Sequence, residues 1–597
     1  MRVALPLLLL VILTIGIYLV ARSGDPSGPE RDVPDPAATH AWAGSESCAS
    51  CHPEINKRWA GSGHAVATRE YTPDAPQKPF DGEILVARNK DQRVGPGPFM
   101  TCEGPGGEMA TFPVELVLGV RRIQMFTTTL SGGRIQVLPV FLEVPPKRWF
   151  DYTDFIFGGP NDLDVPADSA YSWYGPHRNF SSRCGRCHMS DFAIGYDADT
   201  GTYESTWRER VIGCETCHGP GGAHVEKWRR LESGPDPIVN PIRLPMDRAR
   251  AVCGQCHSES TMMKPGFQAG DDFFEFFDVA GLEDEWHVHP DGRARELVHN
   301  LLPIMESRCG PLSCTHCHDA HGRGIPGDLY RPLSDNWMCT QCHDDIGAKL
   351  TDHTHHLADS EGSRCVTCHM PRLVIEGGHG RVYDHTISNP SMRNTRDLGL
   401  PNACRSCHLE EFPGWEYSHF EKWYPGAEKR NHRNFLAATL AAGRQRRPEA
   451  KDDLLTLLKD ANPVYRAAAA WALWHYPVDL RPALKDPHPM VRRAAVEGVA
   501  ARHPEALEPM IDDENLVLRR TAAMALASRR EKEPYDYIAA REDLRARVRA
   551  VLEESARLRP DHADLHFTLA KLYEFDGRDE MARIALARYK RLRPWEK

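Results

Sequence analysis

The chain has 597 residues, 41% hydrophobic and 26% charged, with a formal net charge of -10. That length exceeds what one hydrophobic core supports, so several domains are expected, and the apolar fraction excludes wholesale disorder. An acidic balance spread over both signs excludes the basic stripe of a nucleic-acid binder.

In chain order, Met1 and Arg2 precede an apolar run from Val3 to Val20, long enough to cross a bilayer and longer than a usual signal-peptide core. Ala21-Arg22-Ser23 would serve as a cleavage site, so residues 1–23 read either as a cleaved signal peptide or as a retained inner-membrane anchor. Both place the remainder in the periplasm or another extracytoplasmic space. Residues 24–45, rich in Pro, Asp and Gly, read as a flexible tether.

Sixteen of the eighteen cysteines fall into eight copies of Cys-x-x-Cys-His. They are Cys48, Cys51, His52; Cys184, Cys187, His188; Cys214, Cys217, His218; Cys253, Cys256, His257; Cys314, Cys317, His318; Cys339, Cys342, His343; Cys365, Cys368, His369; and Cys404, Cys407, His408. Two cysteines spaced by two residues span a porphyrin edge as thioethers, and the adjoining histidine ligates the iron from the proximal side. A disulfide framework gives no reason for a histidine after every pair, and structural zinc needs no abutting histidine. The expected cofactors are therefore eight covalent c-type haems. Cys102 and Cys309 lie outside the motifs and either pair with each other or, the favoured reading, remain buried thiols.

With about one motif per 45 residues, residues 46–412 lack the chain for an ordinary core, so a mainly α domain of short helices and loops around stacked haems is expected. The one long gap, His52 to Cys184, carries alternating apolar and polar residues and reads as a β insertion over residues 78–152. Its expected strands are Pro113–Gly119 and Gly133–Val144, with a turn at Ser131-Gly132-Gly133. After His408 the period turns helical. Asp460-Ala-Asn-Pro463-Val-Tyr-Arg466 recurs as Asp486…Arg492 and Asp513…Arg519, 26 and 27 residues apart, which resembles HEAT repeats over residues 430–530 with each Asp capping a helix. Residues 531–597, with Pro560 and Pro594 one 34-residue period apart, resemble a tetratricopeptide repeat. Together they read as an α-solenoid that docks redox partner proteins.

The sixth ligand of each iron decides between electron transfer and catalysis. Fourteen histidines lie outside the motifs between residues 46 and 420, enough for every iron. Cys48-Ala-Ser-Cys-His…Trp59-Ala-Gly-Ser62-Gly-His64 resembles the opening segment of the tetrahaem cytochrome of ammonia oxidisers, which implies a distal ligand at His64. Cys214-Glu-Thr-Cys-His-Gly-Pro-Gly-Gly-Ala-His224 is similar to a segment shared by that cytochrome, pentahaem nitrite reductases and hydroxylamine oxidoreductases, implying His224. Later segments resemble exported multihaem proteins with repeat tails, which implies His321, His385 and one or two of His353, His355 and His356, with His355 and His356 preferred. His177 and His299 are further candidates. The lysine-ended attachment motif of the nitrite reductases does not occur. The favoured expectation is electron transfer through mostly bis-histidine haems of low potential. The alternative is an octahaem oxidoreductase acting on a small nitrogen or sulfur compound at one five-coordinate haem.

Overall fold

The computed structural model describes residues 41–594 apart from 88–89, 157–164, 166–168, 286, 296–299, 311, 375–380, 428–430 and 529–531. The apolar run at residues 3–20, most of the tether and His299 lie outside the described residues. No helix among the described residues is long and apolar enough to cross a membrane.

Each attachment motif folds as one tight helical turn. The amide of the histidine bonds back to the carbonyl of the first cysteine, at 2.9 Å for His52, His257 and His408 and 3.0 Å for His318 and His343. That closure gathers both thiols at one end of the turn and aims the imidazole away from it. The turns are short, as in Cys214–His218 and Cys365–His369, because the chain must leave at once for the next site.

The long gap holds antiparallel strands. β1 (Thr68–Glu70), β6 (Leu116–Leu118), β7 (Ile123–Thr129), β9 (Val140–Glu143) and β10 (Arg148–Asp151) lie in that order in one sheet, with β8 (Ile135–Val137) also on β7. A second sheet orders β2 (Glu83–Ala87), β3 (Lys90–Val94), β4 (Phe99–Glu103) and β5 (Met109–Pro113). The first expected strand loses its start, because Pro113 ends β5 and β6 begins only at Leu116, and the second is broken at a proline, which cannot donate to a ladder. Val114 still bonds to Pro98 beside the second sheet, whereas Glu115 bonds to Thr127 in the first, so the chain changes sheets just past Pro113. Pro139 likewise divides β8 from β9. The core of this unit, with Phe80 edge-on to Phe126 at 5.0 Å and to Trp149 at 5.4 Å, also takes in Phe180, Cys184 and Met189 from the second motif.

Past residue 431 the chain is an array of helices, each packed on its neighbours: His432–Arg444, Ala450–Leu457, Pro463–Leu473, Pro489–Ala500, Leu516–Ala527, Lys532–Ala539, Glu542–Leu558, Ala563–Phe575 and Asp579–Leu592. The repeated Asp does not cap these helices. The N-caps are the residues two places on, Asn462, His488 and Asn515, whose side chains accept from backbone amides of the first turn. The Asp instead accepts from the cap's own amide, at 2.8, 2.9 and 2.8 Å for Asp460, Asp486 and Asp513. The repeated Arg closes the motif by donating to the carbonyls of the Asp and of the residue after it, as Arg466 does to Asp460 and Ala461 at 3.0 Å. The aspartate is displaced because a carboxylate two residues upstream rigidifies the turn that an Asn or His side chain then caps.

One face of the array is clamped onto residues 198–306. Asn462 donates to the Met305 carbonyl and Asn515 to that of Phe274, both at 2.9 Å. Arg433, Arg444 and Arg559 donate to the carbonyls of Asp291, Leu282 and Met262, and Arg588 pairs with Asp199. A single apolar core runs across the boundary, from Ala251, Phe273 and Leu301 to Leu473, Val491 and Leu526.

Arg466 also grips the next repeat's aspartate through two bonds, at 2.8 and 2.9 Å to Asp486, whereas the Nε of Arg492 is buried with no hydrogen-bond partner. Arg466→Ala should therefore lower the stability of the array by about 1–3 kcal/mol, and Arg492→Ala by roughly 1 kcal/mol less, read from thermal unfolding followed by circular dichroism. Burial alone would raise the Asp486 carboxyl, but the Arg466 bonds outweigh it and hold it below the usual carboxylate range. A carboxyl depressed in the folded state stabilises above its unfolded pKa, so the gap between the two variants should close as the pH falls through the Asp486 pKa, below about 4.

Candidate metal centres

Six of the eight motif histidines face a second histidine from outside the motifs. His52 faces His224 at 6.3 Å between ring centres, His257 faces His64 at 6.4 Å, and His218 faces His321 at 6.2 Å. His318 faces His385 at 6.3 Å, His369 faces His353 at 6.2 Å, and His408 faces His356 at 6.2 Å. Imidazoles in mutual contact would lie closer, whereas two that ligate one iron from opposite faces are separated by two metal–nitrogen bonds of about 2 Å plus half of each ring, about 6 Å in all. The interplanar angles range from 8° to 76°, as rings free to rotate about a shared axis allow. The residues present thus fit a porphyrin iron between each pair, and that separation repeats within 0.2 Å in all six.

The ring nitrogens are sorted accordingly. Nδ1 of His218, His318, His369, His385 and His356 donates to the carbonyls of Val239, Gly327, Ser388, Tyr383 and Thr354 at 2.6–3.1 Å. Nδ1 of His224 and His321 donates to the carboxylates of Asp236 at 2.6 Å and Asp319 at 3.1 Å. Spending Nδ1 on a neighbour fixes the tautomer, leaves the Nε2 lone pair for metal and makes it a better donor. Burial pushes the pKa of His64, His188, His218, His369 and His385 down, and that of His257 to about 4. For His257 burial is the largest cause, reinforced by the neighbouring imidazoles of His64, His318, His385 and His188.

The attachment turns are also brought together. The thiols of Cys48 and Cys214, Cys187 and Cys256, Cys253 and Cys314, and Cys339 and Cys365 lie within hydrogen-bonding reach of each other. Cys217 lies close to Cys253 and Cys256, Cys317 to Cys339, and Cys368 to Cys404 and Cys407.

Some expected ligands fall elsewhere. His355 sits at the C-cap of the helix Leu350–Thr354 with φ of 57° and stacks on Trp423 at 4.7 Å, facing no motif histidine. The left-handed residue turns the chain, so His353 and His356 diverge to different motif histidines, His369 and His408; the sequence spells four polar residues and gives no sign of that reversal. His177 stacks on Tyr171 at 6.0 Å. Among the described residues, His188 and His343 face no second histidine. Cys102 is buried as expected, but Cys309 is exposed, in the loop after the helix Leu301–Glu306 where nothing packs over it.

Residues 170–219, which hold the second and third motifs, match a family model described as cytochrome c554 and c-prime. Residues 310–348, which hold the fifth and sixth, match one described as a doubled CXXCH motif. Over 201 residues, 33% of this chain, the sequence is 26% identical to the multiheme cytochrome MtrA of Shewanella baltica (strain OS185). The match spans 42% of that relative, about two fifths of its length. Matched segments that each carry paired attachment motifs, on turns shaped to present both thiols and a histidine, imply covalently bound c-type haem, and the chain is a multihaem c-type cytochrome.

Proposed function

We propose that this cytochrome transfers electrons through eight haems, one per motif, in an extracytoplasmic respiratory chain. The observation that carries the reading is the set of six histidine pairs, each joining one motif histidine to one outside the motifs at 6.2–6.4 Å. An iron closed on both faces by imidazole exchanges electrons without binding substrate, and two imidazoles favour the ferric state, so potentials are low. The bound haem supplies one-electron ferric–ferrous cycling; the chain supplies ligands, spacing and burial.

Attachment turns whose thiols influence one another's ionisation support an order. Cys48 against Cys214 puts the first site beside the third, Cys217 links the third to the fourth, and Cys253 against Cys314 links the fourth to the fifth. The fifth, sixth, seventh and eighth then follow through Cys317, Cys339, Cys365, Cys368 and Cys404. The second site joins the fourth through Cys187 and Cys256 and makes a side branch. His257 is thus the junction, with His188, His318 and His385 among the groups that perturb it.

A second reading attaches to the side branch. His188 is a motif histidine that faces no second imidazole among the described residues, and an iron there would keep one face for a small nitrogen or sulfur compound. His343 shares that lack, but the candidate His299 lies outside the described residues. Export rests on the apolar run and on the covalent haem. The array and residues 531–597 we read as HEAT-like and tetratricopeptide-like repeats forming a solenoid whose unclamped face docks partner proteins.

Electron paramagnetic resonance of the oxidised full-length protein should show mainly low-spin ferric signals. A high-spin signal that shifts on adding hydroxylamine or nitrite would turn the assignment to the oxidoreductase. The pairing has its own test: His353→Ala should convert one haem from low to high spin, whereas His355→Ala should leave the spectrum unchanged. Equal effects of the two would refute the assignment of His353 to the seventh site.

A further inference from the structure

The two ends of the proposed order differ in surface charge. Around the first site, the exposed Glu46 and Glu54 are accompanied by the exposed cation Lys57, Arg58 being held by Asp319 at 2.8 Å. Around the eighth, Glu410 and Glu411 follow the ligand turn after Leu409, Asp359 lies three residues beyond His356, and all three are exposed. None of these carboxylates has a salt-bridge partner among the described residues. The nearby Arg405 cannot neutralise them, because its guanidinium is committed to the Glu416 carboxylate at 2.7 Å and to the carbonyls of Glu411 and Phe412 at 2.8 Å.

Exposed apolar side chains accompany these carboxylates. Leu357 and Leu409 each directly follow a histidine of the pair His356 and His408, and both are exposed, as is Phe412 at 62%. Behind it, Trp415 packs at 4.6 Å from the His408 ring and 4.3 Å from His419, which stiffens the wall. A small apolar centre at a metal edge ringed by unpaired carboxylates complements a protein with an apolar cofactor edge ringed by lysines: charge orients the encounter, and the apolar centre allows close approach.

We propose that the surface around the eighth site, with Phe412 at its centre and Asp359, Glu410 and Glu411 on its rim, docks a cationic redox protein for electron exchange. The inference rests on the electron-transfer reading. One electron passes from ferrous iron held between His356 and His408 to the partner's metal centre; the first is oxidised, the second reduced, and no bond or proton moves.

The probes are a basic and an acidic plastocyanin, whose blue colour bleaches on reduction, mixed anaerobically with the dithionite-reduced full-length holoprotein in a stopped-flow instrument. The basic probe should be reduced at a rate that falls steeply with ionic strength. Glu410→Lys with Glu411→Lys should slow it about tenfold or more at low salt and speed the acidic probe. Asp359→Lys should act the same way on a different segment, which guards against a folding defect in the double variant. Glu46→Lys with Glu54→Lys should leave the rate within about twofold. Equal rates in all variants, or a loss confined to the pair at residues 46 and 54, would overturn the docking surface while leaving the wire intact. Failure of the reduced protein to pass electrons to either plastocyanin or to hexaammineruthenium would instead overturn the electron-transfer reading.

Discussion

Bringing pairs of imidazoles to 6.2–6.4 Å of each other sets the terms for the rest of this molecule. Two rings that were to share one iron would have to arrive from opposite directions, each with Nε2 bare and Nδ1 occupied. The first demand breaks the chain into single helical turns, because a long helix cannot present a ligand, leave and return from the other side. The second explains where the loops go. The segments after several motifs curl back to offer a carbonyl, Val239 to His218, Gly327 to His318 and Ser388 to His369, so a stretch that reads as irregular is the outer support of a ligand.

Such a domain is short of protein-to-protein packing, and few motif residues enter an apolar cluster among the described residues. Ordinary cores lie at its margins. The β unit packs Phe126, Trp149 and Phe141 beside the second site, and the helical array packs Ala-rich faces onto the segments around the fourth. Arginines fit that second boundary because they reach the carbonyls of loops that have no ladder of their own to bond with.

The attachment turns were wholly legible from sequence, since covalent chemistry demands five residues in one local pattern. All six facing histidines stood among the candidates, His353 as the less preferred member of its cluster, but on resemblance or proximity to a motif and not on geometry. His353 against His355 was beyond reach, because the choice hangs on one left-handed residue. Strand boundaries failed at Pro113, which ends one strand instead of starting the next, and at Pro139, where an alternating pattern continues through a residue that cannot donate. The repeat was legible as a period but misread in its chemistry: Asp was the conspicuous polar residue, while the cap was the less conspicuous Asn or His two places on. The order of the sites was invisible, since it depends on which turns meet across gaps as long as the 166 residues between Cys48 and Cys214.

The fourth motif begins at the end of the helix Met246–Gly254 and is followed by a stretch, residues 258–306, whose described elements are two short strands and two short helices. The array anchors that stretch at intervals: Arg520 reaches Met263, Asn515 reaches Phe274, Arg433 reaches Asp291 and Asn462 reaches Met305. Asn462 belongs to the first repeat, Asn515 and Arg520 to the third and Arg433 to the helix before them, while Arg493 on the helix of the second repeat adds an ion pair to Glu283 at 3.0 Å. An exposed face of a helical array is usually read as a surface waiting for a partner. Here one face of the array is already satisfied within the chain, by donors that bond to the backbone carbonyls of the segments following the motif of His257.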